Sequence, residues 1–327
     1  EGDMPAPGTI RDCFNAIMEG EVSQIQMAAF LTALKMRGER VEDIAAAASV
    51  MRDKATIIEA PDGTMDIVGT GGDGIGTYNI STATAFVVAG CGVPVAKHGN
   101  KAVSSKSGAA DVLSSLGINL DCDMALVRQA LTEAGICFLM APRHHSAMRH
   151  VGPVRAELGI RTIFNMLGPL ANPALVKRIM VGVFEPGLCV PFAHALSSLG
   201  TTHAWVVHGA DGLDEVSTTG ETQVAALENG AVREFTLSPD DLGLATVSID
   251  ALRGGSPEEN AASLRDLLGG TTGAYRDVVV LNAAAALVAG GHATDLTIAA
   301  ERVTASIDGG NALAALDRLV AVTNSGN

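Results

Sequence analysis

The sequence predicts an α/β protein in which an N-terminal helical segment precedes a mainly parallel sheet covered by helices. Up to about residue 58 the apolar residues follow only the helical period, and beyond it short β-type runs alternate with helical stretches. The chain is 47% hydrophobic but only 3% aromatic. Its core must therefore be aliphatic and alanine-rich, as in parallel sheets that are buried on both faces.

Two amphipathic helices are expected in the N-terminal segment. Ser23 begins the stretch "SQIQMAAFLTALKMRG", whose apolar residues recur near the helical period and which stops at Gly38. The stretch "VEDIAAAASVMRDKA" follows as a second helix. The turn-forming residues of "EAPDGT" then predict a hinge before the β-type runs begin.

Five β-type runs follow, most of them separated by helical stretches. Strands that alternate with helices imply right-handed crossovers and a mainly parallel sheet. Residues 228–230, which read "ENG", predict the turn of a later hairpin, and residues 256–259 form a capping box that starts a helix. The five runs read "MDIVGT", "VPVAKHG", "GICFLMAP", "RIMVGVF" and "HAWVVHG".

The chain is acidic, with 22 basic and 36 acidic residues and a net charge of −14. This balance argues against nucleic acid or an anionic membrane as a partner, and an anionic ligand needs a local positive cluster or a metal bridge.

The five cysteines form no C-x-x-C pair, which is typical of reduced thiols. The sequence has no apolar run of membrane-spanning length and no signal-like start, so we expect a soluble, cytoplasmic protein.

A glycine-rich stretch, "DIVGTGGDGIGTYNIST", begins at Asp66, and its glycines match the G-x-G-x-x-G spacing. A dinucleotide site needs an acidic residue about 20 positions further on, but the next acid after Gly74 is Asp111. A Walker loop is excluded because the chain has no Gly-Lys pair. The remaining interpretation is an anion or metal-phosphate site at a helix N-terminus, and the alternative is a tight turn without a ligand.

Two further loops carry the charges that a phosphate site needs. The stretch "KHGNKAVSSKS" after the second strand offers lysines, an amide and hydroxyls, although a solvated turn has the same composition. The stretch "GADGLDEVSTTGET" after the fifth strand contains Asp214 and Glu215. Carboxylates suit Mg²⁺, and an exposed acidic turn is the alternative. Ligands bind at the carboxyl ends of parallel strands, so a shared crevice is expected.

These segments, together with "APRHHSAMRHVGPVRAELGIRTIFNMLGPLANP" and "HGADGLDEVS", closely resemble the anthranilate phosphoribosyltransferase family. The resemblance runs through nearly the whole chain. It implies a small N-terminal helical domain hinged to a larger α/β domain, the fold shared with pyrimidine nucleoside phosphorylases. The helical domain would comprise residues 1–60 plus about 145–167, and the α/β domain residues 61–144 and 168–327. It also implies a homodimer formed through the helical domains.

The resemblance further implies the transfer of a phosphoribosyl group from phosphoribosyl pyrophosphate to the amino group of anthranilate, in tryptophan biosynthesis. Mg²⁺ is the implied cofactor, expected as two ions per subunit. The implied metal residues are Ser81, Asp214 and Glu215, and the implied anthranilate contacts are Gly69, Asn100 and Arg155. The implied phosphoribosyl pyrophosphate contacts are Gly69, Gly72, Asp73, Thr77, Asn79, Ile80, Ser81, Thr82, Lys97, His98, Gly99, Asn100, Lys101, Ala102, Val103, Ser104, Ser105 and Ala109.

Two positions depart from the family pattern. Lys101 stands where arginine is common, which keeps the charge but loses the bidentate fork. Ala109 stands where serine is common, so a hydroxyl contact is missing. Both departures bear on substrate affinity, and neither affects the expected metal ligands.

No covalent nucleophile is required, because an aryl amine is already a competent nucleophile. His98 is a candidate for guiding anthranilate or accepting a proton late, and a hydrogen-bonding loop histidine is the alternative. The adjacent His144 and His145 have no evident third ligand and are interpreted as structural or as a channel lining. The alternatives for the whole chain are a pyrimidine nucleoside phosphorylase and a non-enzymatic nucleic-acid-binding relative.

Overall fold

The computed structural model describes residues 7–101 and 107–326. Its first part is a bundle of three helices. The second of them begins after Ser23 and ends at Gly38, as predicted, and the structure adds a capping box at Ser23. The exposed Asp53 end of the third helix leads into the extended segment that precedes the sheet. The helices are α1 (Pro7–Glu19), α2 (Gln24–Arg37) and α3 (Val41–Asp53).

A seven-stranded sheet forms the centre of the second part, in the order β3-β2-β1-β4-β5-β6-β7. The first five strands are parallel, and the last two form the predicted antiparallel hairpin. Asn229 and Gly230 both adopt positive φ, as a two-residue hairpin turn requires. The strands are β1 (Met65–Gly69), β2 (Val95–Gly99), β3 (Ile136–Met140), β4 (Arg178–Gly182), β5 (His203–Gly209), β6 (Thr222–Glu228) and β7 (Ala231–Leu237).

Eleven further helices in the described residues connect and cover these strands, one of them beginning at the predicted capping box of Ser256. They are α4 (Ile80–Gly90), α5 (Ala109–Ser115), α6 (Met124–Glu133), α7 (Ala141–His144), α8 (Gly152–Leu158), α9 (Phe164–Leu170), α10 (Cys189–Ser198), α11 (Pro257–Leu268), α12 (Ala274–Ala289), α13 (Leu296–Asp308) and α14 (Asn311–Asn324). Short 3₁₀ segments lie at Ser146–His150, Pro186–Leu188, Pro239–Leu242 and Ile249–Leu252.

The strand order places a topological switch point between β1 and β4. The chain moves outward from β1 to β2 and β3, then crosses back to β4 on the other side of β1. Ligands of open α/β sheets bind at the carboxyl ends of the strands beside such a point. The fold therefore predicts where a ligand site lies before any side chain is considered.

Two hydrophobic cores fill the molecule. The first lies between one face of the sheet and helices that include α4, α12 and α14. The second runs from α1–α3 through α8 and α9 to α10 and the other face of β4 and β5. Phe14 of α1 packs edge-on against Phe164 of α9, with ring centroids 5.6 Å apart. The segment around 147–167 thus packs on the N-terminal helices, and the exact division into domains stays a prediction.

Arg52 connects the bundle to the sheet side. Its guanidinium donates to the carbonyl of Leu170 (2.6 Å) at the end of α9 and to that of Leu199 (2.8 Å) after α10. A cation at two helix C-termini is favourable, although burial lowers the pKa of Arg52 to about 10. Within the described ranges, no helix combines the length and the apolar character needed to cross a bilayer.

Candidate active site at the carboxyl edge of the sheet

Three loops meet where β1, β2 and β5 reach their carboxyl ends. The glycine-rich loop after β1 donates its Gly71 N–H to Asp214 Oδ2 (2.6 Å) in the loop after β5. The first turn of α4 donates its Ser81 N–H to Glu215 Oε1 (3.0 Å). Lys97 Nζ, from β2, donates to Ser81 Oγ (3.3 Å). The glycine-rich and acidic segments singled out in the sequence are therefore in direct contact, and Lys97 of the basic segment contacts the same helix start.

The glycine-rich loop is tightly turned and anchored at its far end. Asp73 Oδ1 accepts from the N–H of Ile75 (3.3 Å). Beyond the turn, the N–H of Gly254 donates to the carbonyl of Gly76 (3.0 Å), and the N–H of Tyr78 donates to the carbonyl of Leu252 (3.0 Å). Left-handed backbone, which favours glycine, occurs at Gly71, Gly72, Gly74 and Gly76.

Asp214 lies directly over the switch point because β1 and β4 both end in glycine. Gly69 and Gly182 are paired in register, and each lacks the Cβ that would collide with Asp214. A Cβ on Gly69 would lie 2.3 Å from Asp214 Oδ2, and one on Gly182 would lie 1.5 Å from the Asp214 carbonyl oxygen. The glycine pair thus makes the space in which the acidic loop approaches the sheet.

The acidic pair is buried rather than exposed. Asp214 and Glu215 are 8% and 9% exposed. Burial, with the neighbouring Asp73 carboxylate, raises the pKa of Asp214 to about 6. Burial and the Asp214 carboxylate also raise the pKa of Glu215. Burial lowers the pKa of Lys97, against the attraction of the surrounding carboxylates. The cluster therefore places two buried carboxyl groups beside a single buried lysine, and burial works against the charged form of each.

The residues present fit a divalent cation. Two adjacent buried carboxylates and a hydroxyl are hard oxygen donors of the kind Mg²⁺ prefers. No group of three or more His, Cys, Asp or Glu side chains could hold a metal ion in the part of the chain that the structure describes. A cation here would therefore keep coordination positions for water or phosphate oxygens, which is the usual arrangement for Mg²⁺.

The remaining predicted residues of the glycine-rich segment hold the start of α4. Thr77 pairs with Arg253 in an isolated antiparallel bridge. Asn79 is the N-cap residue, and its Oδ1 accepts from Asn260 Nδ2 (3.1 Å). Ile80 is buried in the core, and the buried Thr82 Oγ1 has no hydrogen-bond partner among the described residues.

His98 is buried and neutral. Its Nδ1 lies 3.0 Å from the carbonyl oxygen of Gly168, and no described group reaches its Nε2. Burial lowers the pKa of His98 to about 3, and His145, whose ring centroid is 5.2 Å away, adds to the effect. His144 Nδ1 lies 2.7 Å from the carbonyl oxygen of Thr56. These contacts support a packed polar layer rather than a strong base.

The residues expected to contact anthranilate are only partly explained by the geometry. Gly69 lies under Asp214, and Asn100 Oδ1 accepts from the N–H of Lys101 (2.8 Å). Arg155 is half-buried on α8, 5.9 Å from the Phe164 ring centroid, with no carboxylate partner in the described ranges. No hydrogen bond or ion pair in those ranges joins Arg155 to the other two, so its role stays a prediction.

The basic loop after β2 is described only at its ends. Gly99 allows close packing, since a Cβ there would lie 2.7 Å from the Phe138 ring. Lys101 is exposed, and Ala109 is the first residue of α5. Four of the expected substrate contacts lie outside the described residues: Ala102, Val103, Ser104 and Ser105.

Comparisons with known proteins cover almost the whole chain. Residues 2–55 match the model of the "Glycosyl transferase family, helical bundle domain", and residues 61–313 match that of the "Glycosyl transferase family, a/b domain". The chain is 56% identical over 317 residues to the anthranilate phosphoribosyltransferase of Parvibaculum lavamentivorans, which spans 97% of this chain and 93% of that protein. The chain belongs to the anthranilate phosphoribosyltransferase family.

Solved structures of the anthranilate phosphoribosyltransferase family agree with this assignment. The enzyme from Thermus thermophilus is 44% identical and superimposes with a TM-score of 0.93, covering 98% of this chain and 97% of that one. The enzyme from Saccharomyces cerevisiae in complex with PRPP and Mg is 30% identical, with a TM-score of 0.88 and coverage of 98% and 94%. The family resemblance and the predicted fold class are both confirmed.

Sequence reasoning missed a buried clamp on the acidic loop. Asn282 of α12 accepts from the N–H of Val216 (2.9 Å) through Oδ1 and donates to its carbonyl (2.6 Å) through Nδ2. Asp211 accepts from the N–H of Leu213 (3.0 Å) and from Ser217 Oγ (2.6 Å). A lone amide in the otherwise apolar run "VVVLNAAAALVA" was the available signal. These contacts fix the backbone on both sides of the acidic pair.

The glycine at the end of β4 generates a first prediction. Gly182→Ala should force the loop that carries Asp214 away from the sheet, because the new Cβ cannot share space with the carbonyl of Asp214. A displacement of about 1 Å can cost about 100-fold in rate, so turnover measured by anthranilate fluorescence should fall by about that factor. Gly220→Ala, where no atom lies within 4 Å of the added Cβ, is the control. Unchanged turnover in Gly182→Ala would contradict this account.

Proposed function

We propose that this chain transfers the phosphoribosyl group of 5-phosphoribosyl 1-pyrophosphate to the amino group of anthranilate, giving N-(5-phosphoribosyl)anthranilate and pyrophosphate, in tryptophan biosynthesis. The observation that carries the proposal is the meeting of the glycine-rich loop, Lys97 and the buried acidic pair at one sheet edge. Membership of the anthranilate phosphoribosyltransferase family supports the choice of substrates over those of the pyrimidine nucleoside phosphorylases.

The diphosphate is proposed to bind along the glycine-rich loop and the N-terminus of α4. The N–H groups of Gly72 and Asp73 have no acceptor among the described residues, so they are free to donate to an anion. The positive end of the helix and the Lys97 ammonium favour negative charge in the same place. Such a local cluster is needed, because the chain as a whole carries a charge of −14.

Ser81, Asp214 and Glu215 are proposed to hold Mg²⁺, and two ions per subunit are proposed. The fit of the buried carboxylates and the presence of Mg with PRPP in the yeast relative support this. When bound, the metal neutralises charge on the departing diphosphate. The two carboxylates now accept from Gly71 and Ser81, so their free oxygens remain available to a cation.

The chain's own groups act by position and charge. The amine nitrogen forms a bond to the anomeric carbon as the bond from that carbon to the diphosphate oxygen breaks, and the diphosphate keeps the electron pair. The loop N–H groups and Lys97 are proposed to stabilise this developing negative charge, and preorganised charge of this kind is commonly the largest catalytic contribution. Holding the amine near the anomeric carbon supplies much of the rest.

The proton is lost from the amine after the new bond begins to form. His98 Nε2 has no hydrogen-bond partner among the described residues, but burial lowers the pKa of His98 to about 3, so it is a weak base. A secondary aryl ammonium is a strong acid, and water or His98 suffices as its acceptor. His98 is therefore proposed to orient the acceptor, with proton transfer as a late and minor contribution.

Arg155 is proposed to pair with the anthranilate carboxylate. Its guanidinium is half-buried, is oriented by the Phe164 ring, and has no carboxylate partner among the described residues. Burial lowers the pKa of Arg155, yet an arginine remains charged at neutral pH. A partly buried cation without a partner is unfavourable, and a bound carboxylate offsets this through a charge-assisted hydrogen bond.

Neutralising the acidic pair tests the metal assignment. Asp214→Asn with Glu215→Gln keeps oxygen acceptors for Gly71 and Ser81 but removes both charges, so Mg²⁺-dependent turnover should fall by about 1,000-fold or more. Stability without metal should not fall. A buried carboxyl whose folded pKa is raised destabilises the protein as pH rises toward that pKa, and an amide does not. In EDTA, the melting temperature should therefore fall more between pH 5 and pH 8 for the wild type than for the double variant.

The control for this double variant is Glu221→Gln, an exposed acid at the end of the same loop. It should keep wild-type turnover and the wild-type response to pH. Wild-type turnover in the double variant would exclude the acidic pair as metal ligands.

Arg155→Gln tests the acceptor site. The KM for anthranilate should rise by about tenfold or more, because a charge-assisted hydrogen bond is lost, while the KM for phosphoribosyl pyrophosphate should change little. Steady-state kinetics with each substrate varied in turn measures both values. Arg149→Ala, an exposed arginine of the same segment that bonds only the carbonyl of Ser146 in the described structure, is the control. Equal KM values for Arg155→Gln and the wild type would contradict the assignment.

A homodimer formed through the helical bundles is also proposed. Helix α2 buries Met27, Leu31 and Leu34 on one side, yet its opposite side exposes Ile25 by 83% and Met36 by 85%. Ala29 and Ala33 lie between them on the same face and are exposed as well. An apolar stripe at helical spacing on a surface helix is typical of an interface.

A cytoplasmic location is proposed as well. The free cysteines among the described residues agree with it.

Ile25→Glu with Met36→Glu should shift the protein from the mass of two chains to that of one, because two buried carboxylates would face the partner helix. Light scattering after size-exclusion chromatography measures this mass. Ile298→Glu, which alters an exposed isoleucine of α13, should remain dimeric. A wild-type protein that is monomeric, or a dimeric double variant, would exclude this interface.

A further inference from the structure

Arg161 joins the glycine-rich loop to the helical part of the molecule. Its guanidinium NH2 group donates to the carbonyl of Gly72, at the middle of the loop. The same guanidinium lies over the ring of Phe184, 4.3 Å from the ring centroid. Phe184 follows β4 and comes two residues after Gly182. One exposed side chain thus touches both the loop and the strand end beneath the acidic pair.

The backbone of Arg161 is fixed by the helical bundle. Helix α8 ends at Leu158 and is capped by Gly159, which adopts left-handed backbone. The N–H of Thr162 donates to Asn165 Oδ1 (3.0 Å). Ile163 and Phe164, immediately after it, are buried in the core that contains α1–α3. The guanidinium is therefore held from the bundle, although it acts on a loop of the α/β part.

The hydrogen bond determines which way one peptide group faces. Gly72 has a φ of +81°, and its carbonyl is directed at Arg161. Since a peptide group is planar and trans, the N–H of Asp73 in the same group points in the opposite direction. That N–H has no acceptor among the described residues. Arg161 thus leaves a donor unpaired at the turn where an anion is proposed to bind.

The side chain is suited to this task in a way that lysine is not. A guanidinium can stack on an aromatic ring and donate in its own plane at the same time, whereas an ammonium is a strongly hydrated point charge. The two residues also pack closely, since a Cβ added to Gly72 would lie 3.2 Å from the Arg161 guanidinium. The contact therefore suits a glycine on one side and an arginine on the other.

We propose that Arg161 is a positioning residue for the diphosphate: stacked on Phe184, it holds the Gly72 peptide so that the Asp73 N–H faces the ligand, and it ties the loop to the helical bundle. The identity of the ligand rests on the function proposed above. The contact itself does not, because both of its partners belong to this chain.

The test compares Arg161→Ala, Arg161→Lys and Phe184→Leu with Arg149→Ala as the control arginine. Hydrogen exchange of the peptide that covers residues 70–76, followed by mass spectrometry on the ligand-free protein, reads the loop directly. Calorimetric titration with phosphoribosyl pyrophosphate and Mg²⁺ gives the affinity, and steady-state kinetics gives both KM values and kcat.

We expect faster exchange at residues 70–76 in Arg161→Ala and a Kd for phosphoribosyl pyrophosphate raised about tenfold, equivalent to about 1.4 kcal/mol. The KM for anthranilate should stay within about twofold of the wild type. Arg161→Lys and Phe184→Leu should show smaller changes in the same direction, and Arg149→Ala none.

Unchanged exchange or unchanged affinity in Arg161→Ala would overturn the inference. So would an equal rise in both KM values with a lower melting temperature, since that pattern marks a general structural role. A wild-type protein without turnover would overturn the proposed function alone, because the exchange measurement would still report on the Arg161–Gly72 contact.

Discussion

The burial of Asp214 and Glu215 against backbone N–H groups is the constraint around which the carboxyl edge of the sheet is built. The two carboxyl groups are stabilised there by the hydrogen bonds that they accept from Gly71 and Ser81, with the help of the Lys97 charge. That arrangement in turn requires two strands that end in glycine and a loop backbone fixed by Asn282. Two adjacent buried carboxyl groups are unfavourable in isolation, so the hydrogen bonds that they accept are needed to keep them there.

The local chemistry of the chain predicted the fold class and the location of the site. Strand runs, caps, the hairpin turn and the three loops are each encoded within about ten residues, so short windows were enough. The position at the switch point then follows from parallel topology. The sequence did not show that β4 lies between β1 and β5. This order places Asp214 over Gly69 and Gly182.

What the sequence could not show depends on contacts between distant segments. Asp214 and Glu215 look like a surface turn in the sequence, and only packing from α12 and the glycine pair makes them buried. Arg161 carries no local signature and Asn282 only a faint one, a lone amide in an apolar run, because their partners lie 89 and 66 positions away. Arg155 was predicted as an anthranilate contact from the family resemblance, but its lack of a carboxylate partner among the described residues is visible only in the folded chain.

The glycine-rich loop is held from two sides, by Arg161 on the bundle and by residues 252–254 of the α/β part. Five glycines within eight residues have a large conformational freedom when the chain is unfolded. Because the folded loop is already ordered, that entropy is lost during folding and not when a ligand arrives. The free energy of ligand binding is then available to discriminate among anions. A flexible loop of the same composition would lose part of that free energy in becoming ordered.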